Sequence, residues 1–208
     1  MYKLIVAIVF FIPLSAVAQH FDVNKLDTYF DTIVSTNKGL GEISIAVKDS
    51  VYYYRKFGTS GAYIEKEPNI YQIGSVTKVL TSILVLQLIE EQQISLEDKI
   101  EKYFPKIPNA SNISIDNLLS HTSGLNDFVV KNDTSFYWLR EPVSDNEIMQ
   151  EIQRQGTLFE SGEDVLYSNS GYYLLAKIVE QERKMSYKEA LSDYITEPLG
   201  LDKQDLLM

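Results

Sequence analysis

Hydrophobic spacing divides the chain into a helix, a pair of strands and a long helical block. Between Phe21 and Val34, the residues Phe21, Leu26, Phe30 and Ile33 recur at helical intervals among polar positions. This predicts an amphipathic helix that ends before Asn37 and the Gly39-Leu-Gly41 stretch. Ile43-Ser-Ile-Ala-Val47 then alternates, Lys48-Asp-Ser50 turns the chain, and Val51 to Phe57 is rich in tyrosine. A strand–turn–strand unit is expected there. Gly58, Gly61 and Pro68 punctuate a loop.

From Ser75 onward the pattern is mostly helical. Val76, Val79, Leu80, Ile83, Leu84, Leu86, Leu88 and Ile89 cover nearly every face of one helix, which belongs in the middle of a core. Ser95-Leu-Glu-Asp98 is placed to cap a short following helix, and Ile115 to Ser120 is another short candidate. Ser144-Asp-Asn-Glu147 and Ser186-Tyr-Lys-Glu189 fit the reciprocal cap in which serine and glutamate satisfy each other's backbone N–H. Between them, Gly171 to Glu182 carries Leu174, Leu175, Ile178 and Val179 on one side of a further helix. The fold class is α/β (α+β). The two strands are the oddity, because a lone hairpin is marginal in water.

Composition adds an address. Lys3, the apolar run Leu4 to Leu14 and Ser15-Ala-Val-Ala18 before Gln19 read as a secretory signal peptide over residues 1–18. Once it is cleaved, no stable membrane anchor is expected, and the mature chain belongs outside the cytoplasm, secreted or periplasmic. The formal charge of -10 over 208 residues argues against a nucleic-acid partner, which needs a basic surface. Without cysteine there is no disulfide, thiolate nucleophile or lipidated cysteine. With only His20 and His121, metal chemistry is poorly supplied, and no phosphate-binding loop or zinc motif occurs.

The chemistry begins at Ser75-Val-Thr-Lys78, at the head of the apolar helix. Residues three apart are helix neighbours, so Ser75 Oγ and Lys78 Nζ are expected to meet in the first turn. A lysine there opposes the positive pole of the helix dipole, a cost in stability. A neutral amine in that place can take the serine proton, and the N–H groups of the helix start can bind an oxyanion. The bare pattern is weak, since Ser35-Thr-Asn-Lys38 also matches it. That second copy closes its helix beside glycines, where lysine complements the negative pole, and Ser35 reads as structural.

Two stretches compete for the partner group. Ser144-Asp-Asn146 is explained by the cap it forms with Glu147, ahead of Ile148, Met149 and Ile152. Tyr167-Ser-Asn169 stands in a turn leading into a helix, where a phenol near an amine can shuttle protons. Tyr167 is therefore preferred. Asn169 suits a substrate amide, with a helix N-cap as its competing role. His121 and Asp127 invite a Ser-His-Asp reading, but no Gly-x-Ser-x-Gly elbow exists, and a structural hydrogen bond is expected of His121.

Gly74-Ser-Val-Thr-Lys78, Leu118-Leu-Ser-His-Thr-Ser-Gly-Leu125, Tyr167-Ser-Asn-Ser-Gly-Tyr172 and Glu197-Pro-Leu-Gly200 together resemble the β-lactamase-related serine hydrolases. That group includes class C β-lactamases, D-Ala-D-Ala carboxypeptidases and class C-like esterases. The resemblance implies Ser75 as acylated nucleophile, Lys78 and Tyr167 as the acid/base pair, Asn169 as a substrate contact, and no cofactor. It implies a small-molecule or peptidoglycan-like substrate: a β-lactam, a D-amino peptide or an ester. It also implies one hydrolase domain over residues 19–208, with 19–65 forming the helix and hairpin of a sheet domain and 66–208 a helical domain. Such relatives carry a third motif, further strands and a closing helix beyond the Pro-Leu-Gly element, whereas this chain stops at Met208. An incomplete sheet, an exposed apolar helix face and low turnover are the expectations. A non-catalytic relative that binds a ligand or partner stays open beside the hydrolase.

Overall fold

Asp22 caps helix α1 (Val23–Ser35), its carboxylate accepting from the N–H groups of Asn24 at 3.1 Å and Lys25 at 3.3 Å. The computed structural model describes residues 22–58, 71–130 and 143–201. The expected signal peptide and Phe21 lie outside them. After α1, strands β1 (Gly41–Val47) and β2 (Ser50–Phe57) pair antiparallel from Gly41 opposite Phe57 to Val47 opposite Ser50, with an irregularity between Ile45 and Ala46. Lys48, at φ +54°, makes the turn.

The sidedness of β2 follows the strand period. Tyr53 is buried and Arg55 and Phe57 are half-buried, while Tyr52 and Tyr54 are exposed. The Phe30 ring of α1 lies 4.6 Å from that of Phe57 and 6.4 Å from that of Tyr53. Arg55 joins Asp27 at 3.0 Å and Asp31 at 2.5 Å, two carboxylates one helical turn apart. Tyr53 donates its hydroxyl to Asp27 at 2.8 Å.

Residues 22–58 form one compact unit, and the described residues from 71 onward form another. The second begins with a 3₁₀ turn (Gly74–Val76) that runs into helix α2 (Thr77–Glu90). Helices α3 (Ile115–Leu119), α4 (Asp145–Gln155), α5 (Asn169–Arg183) and α6 (Tyr187–Leu191) follow, ending in a wide π turn (Ser192–Thr196). The centre is α5, whose Leu174, Leu175, Ile178 and Val179 are fully buried. Around them sit Leu84, Val85 and Leu88 of α2, Ile115 and Leu118 of α3, Ile152 of α4 and Leu191 of α6.

Three local expectations need adjustment. Helix α5 starts at Asn169, two residues before the glycine where the apolar spacing placed it. No helix starts at Ser95. Its N–H goes to Asp98 Oδ2 at 3.3 Å, and backbone pairing of Asp98 and Ile100 with Ile115 and Ile113 takes the chain before a short 3₁₀ turn at Ile100–Lys102. Helix α2 is apolar all round but covered on one side only. Leu84, Val85 and Leu88 are fully buried, whereas Val79 and Leu86 keep 59% and 53% exposure. That uncovered face agrees with the expectation of an exposed apolar helix stripe.

Candidate active site

Gly74 adopts φ +53° and turns the chain into the 3₁₀ turn that carries Ser75. Lys78 follows as the second residue of α2. The two side chains do not meet directly. Ser75 Oγ lies 2.7 Å from the Tyr167 hydroxyl, and Lys78 Nζ donates to Asn169 Oδ1 at 2.7 Å. The Tyr167 hydroxyl faces the same Oδ1 at 3.5 Å, and Lys78 Nζ stands 4.8 Å from the centroid of the Tyr167 ring. The four residues named from the sequence thus form one cluster, with the tyrosine and the asparagine between serine and lysine.

A ladder of backbone bonds ties the segment that leads to Tyr167, 92 residues from Ser75 in the sequence, to residues 121–126. Asn126 N–H donates to Gly156 C=O at 3.0 Å, Leu158 N–H to Gly124 C=O at 2.8 Å, and Gly162 N–H to Thr122 C=O at 2.8 Å. Leu166 N–H reaches His121 C=O at 3.0 Å, one residue before the tyrosine. Gly124 makes the ladder possible. It sits at φ +74°, and a Cβ there would stand 2.1 Å from the Phe159 carbonyl oxygen.

His121 extends the ladder through its ring. Its Nδ1 accepts the Ser168 N–H at 3.2 Å, so the imidazole is neutral there with its proton on Nε2. The ring lies 4.8 Å from that of Tyr167 and 5.0 Å from that of Tyr172. Burial pushes its pKa down, the positive charge of Lys78 pushes the same way, and Asp127 opposes both. For Tyr167, burial pushes up, yet the nearby Lys78 amine and Ser75 hydroxyl outweigh it and the phenol ends below its ordinary value. A phenol drawn toward phenolate beside a serine hydroxyl is suited to take its proton.

The competing candidates have other partners. Ser144 Oγ accepts Glu147 N–H at 3.3 Å while Glu147 Oε2 accepts Ser144 N–H at 3.0 Å, the expected cap of α4. Ser35 Oγ donates back to Thr32 C=O at 3.1 Å at the end of α1. Asn169 is not an N-cap. It is the first residue of α5, and its side chain serves the cluster.

The sequence suggests Asp127 only as a partner for His121, and the structure gives it a different one. Its carboxylate accepts from Asn169 Nδ2, at 2.8 Å. No local spacing signals a contact across 42 residues. Among the described residues, no group of three or more metal-ligating side chains converges. A cavity of about 250 Å³ adjoins the cluster, lined by Lys78, Asn169, Phe128, Tyr172, Tyr173 and Tyr187 among others.

Residues 42–206 match the family model described as Beta-lactamase. The chain is 29% identical to Penicillin-binding protein 4* of Bacillus subtilis over 187 residues, which cover 86% of this chain and 40% of that protein. It is 31% identical to Teichoic acid D-alanine hydrolase of Staphylococcus aureus, over 66% of this chain and 33% of that protein. Among solved structures it resembles the octameric penicillin-binding protein homologue from Pyrococcus abyssi. The TM-score is 0.66 at 31% identity, over 86% of this chain and 43% of that one. The chain therefore spans less than half the length of each of these three relatives.

Proposed function

The chain belongs to the beta-lactamase family, with its β-lactamase and penicillin-binding-protein-like fold, and we propose that it is a serine hydrolase forming an acyl-enzyme on Ser75. The observation that carries this reading is the 2.7 Å contact between Ser75 Oγ and a Tyr167 hydroxyl whose pKa lies below the ordinary phenol value. Tyr167 takes the Ser75 proton as Oγ bonds to the carbonyl carbon of an amide or ester. The Ser75 N–H, at the helix start, supplies a donor to the oxyanion that forms. As the tetrahedral intermediate collapses, the bond to the leaving amine or alkoxide breaks and Tyr167 returns the proton to it. Water then repeats the sequence on the acyl-serine and releases the acid. Lys78 keeps positive charge beside the phenol throughout, and no step calls for a cofactor.

The substrate class is a small β-lactam, a D-amino peptide or a D-amino acyl ester. The name of the staphylococcal relative, a D-alanine hydrolase, supports the last two. With the signal peptide removed, the enzyme would meet such compounds in the cell envelope. The test is covalent labelling by a fluorophosphonate and by a fluorescent penicillin, with Ser75→Ala as control and circular dichroism to confirm folding. Label on the wild type and none on the variant is expected. Folded wild-type protein that takes up no Ser75-dependent label overturns the hydrolase and leaves a ligand-binding relative.

A further inference from the structure

We propose that Asp127 is a positioning residue of this site, its carboxylate holding the Asn169 carboxamide with Oδ1 turned to Lys78. The inference rests on the acyl-transfer reading above and extends it to a residue that touches neither Ser75 nor Tyr167.

A carboxamide has two ends of similar shape and opposite character, and a half-turn exchanges donor for acceptor. Here each end has a partner of fixed sign. Asp127 Oδ2 can only accept, and takes Asn169 Nδ2 at 2.8 Å. Lys78 Nζ donates to Oδ1 at 2.7 Å. Both partners demand the same orientation. A flipped amide would set Nδ2 against the Lys78 donor and lose the bond from Nζ to Oδ1. Asp127 forbids the flip, because it would place Oδ1 against a carboxylate oxygen.

The carboxylate is itself fixed. Its other oxygen accepts the Val129 N–H at 3.0 Å. On either side, Ser170 Oγ donates to Asn126 C=O at 2.6 Å and accepts the Phe128 N–H at 3.0 Å. Asp127 is thus tied to the first turn of α5, the turn that carries Asn169. One amide hydrogen of Asn169 is used by Asp127, and the second stays available for a substrate carbonyl.

The test combines kinetics with a spectroscopic signature. In labelling by a fluorophosphonate, Asp127→Ala is expected to slow Ser75 modification roughly tenfold or more, the size of losing one charge-assisted hydrogen bond. In an Asn169→Ala background the same substitution should change the rate by less than about twofold, since the two act as one unit. Independently of turnover, the Asn169 side-chain amide is observed by ¹H–¹⁵N NMR and identified by its loss in Asn169→Ala. In the wild type one of its protons should lie downfield and exchange slowly. In Asp127→Ala, and in the gentler Asp127→Asn, it should move back toward the free-asparagine position. An Asn169 signal unchanged in both variants overturns the inference, even if labelling proceeds. A wild type that does not label but whose Asn169 signal responds overturns the hydrolase reading instead. Additive rate losses in the double variant likewise reject the positioning role.

Discussion

Substituting Gly124 by alanine separates two costs that the fold keeps distinct. At φ +74° an alanine pays the left-handed penalty, about 1–2 kcal/mol. Its Cβ would also stand 2.1 Å from the Phe159 carbonyl oxygen, far inside van der Waals contact. Relief requires a backbone shift of more than about 1 Å, since non-bonded atoms settle at roughly 3.5 Å. That shift breaks the 2.8 Å bond from Leu158 N–H to Gly124 C=O, and a buried polar group left unpaired costs about 1–3 kcal/mol. The total is about 2–5 kcal/mol. Gly162 provides the internal control. It sits at φ +90° and a methyl group added there would meet nothing within 4 Å, so Gly162→Ala should cost only about 1–2 kcal/mol. Urea unfolding of both variants, followed by circular dichroism at 222 nm, measures the difference. Labelling of the folded fraction should fall further for Gly124→Ala, because the same ladder seats Tyr167. A Gly124→Ala protein no less stable than Gly162→Ala would refute the account of the ladder.

Ser144→Ala should cost about 1 kcal/mol of stability through the lost cap and leave Ser75 labelling unchanged; reduced labelling on folded protein would reopen Ser144 as a site residue. Leu88→Ala, in a fully buried position, should cost about 2–5 kcal/mol, whereas Leu86→Gln on the uncovered face should stay within about 0.5 kcal/mol, both read from urea midpoints. Because the folded pKa of His121 lies below its ordinary value near 6.5, its contribution to stability is complete above that pH and is lost as pH falls through the folded value. Melting temperatures between about pH 7.5 and 5 should therefore drop more steeply for the wild type than for His121→Gln, and parallel curves would contradict this.

The parts of the fold that could be read in advance are those whose cause is local. The caps at Ser144 and Ser186 depend on partners three residues on, and both form as spaced. The hairpin needed only alternation and a turn. The apolar stripe of α5 needed only its period, although its start moved to Asn169 once the turn into it was fixed by the bonds of Ser168 and Ser170 to residues 121–128. The sidedness of α2 was illegible, because an all-round apolar sequence does not say which face a neighbour covers. Ser95 misled for the converse reason: a good local cap lost to backbone pairing with residues 113–115.

Ser75 and Ser35 share a four-residue pattern, and what separates them is the surroundings each helix end provides. Ser35 finds one carbonyl of its own last turn, that of Thr32. Ser75 finds a phenol whose placement owes little to burial, since Tyr167 is 48% exposed. A half-exposed ring has less packing to fix it, so the backbone on either side contributes to its position. Leu166 and Ser168 are both bonded to His121, through its carbonyl and its ring nitrogen. His121 itself sits in the left-handed region, at φ +60°. His121 thus holds the backbone on both sides of the tyrosine that lies 2.7 Å from the serine. Removing it should blur the Ser75–Tyr167 distance rather than delete a proton acceptor, and that distinction is visible in a labelling rate that falls without a change in the shape of its pH profile.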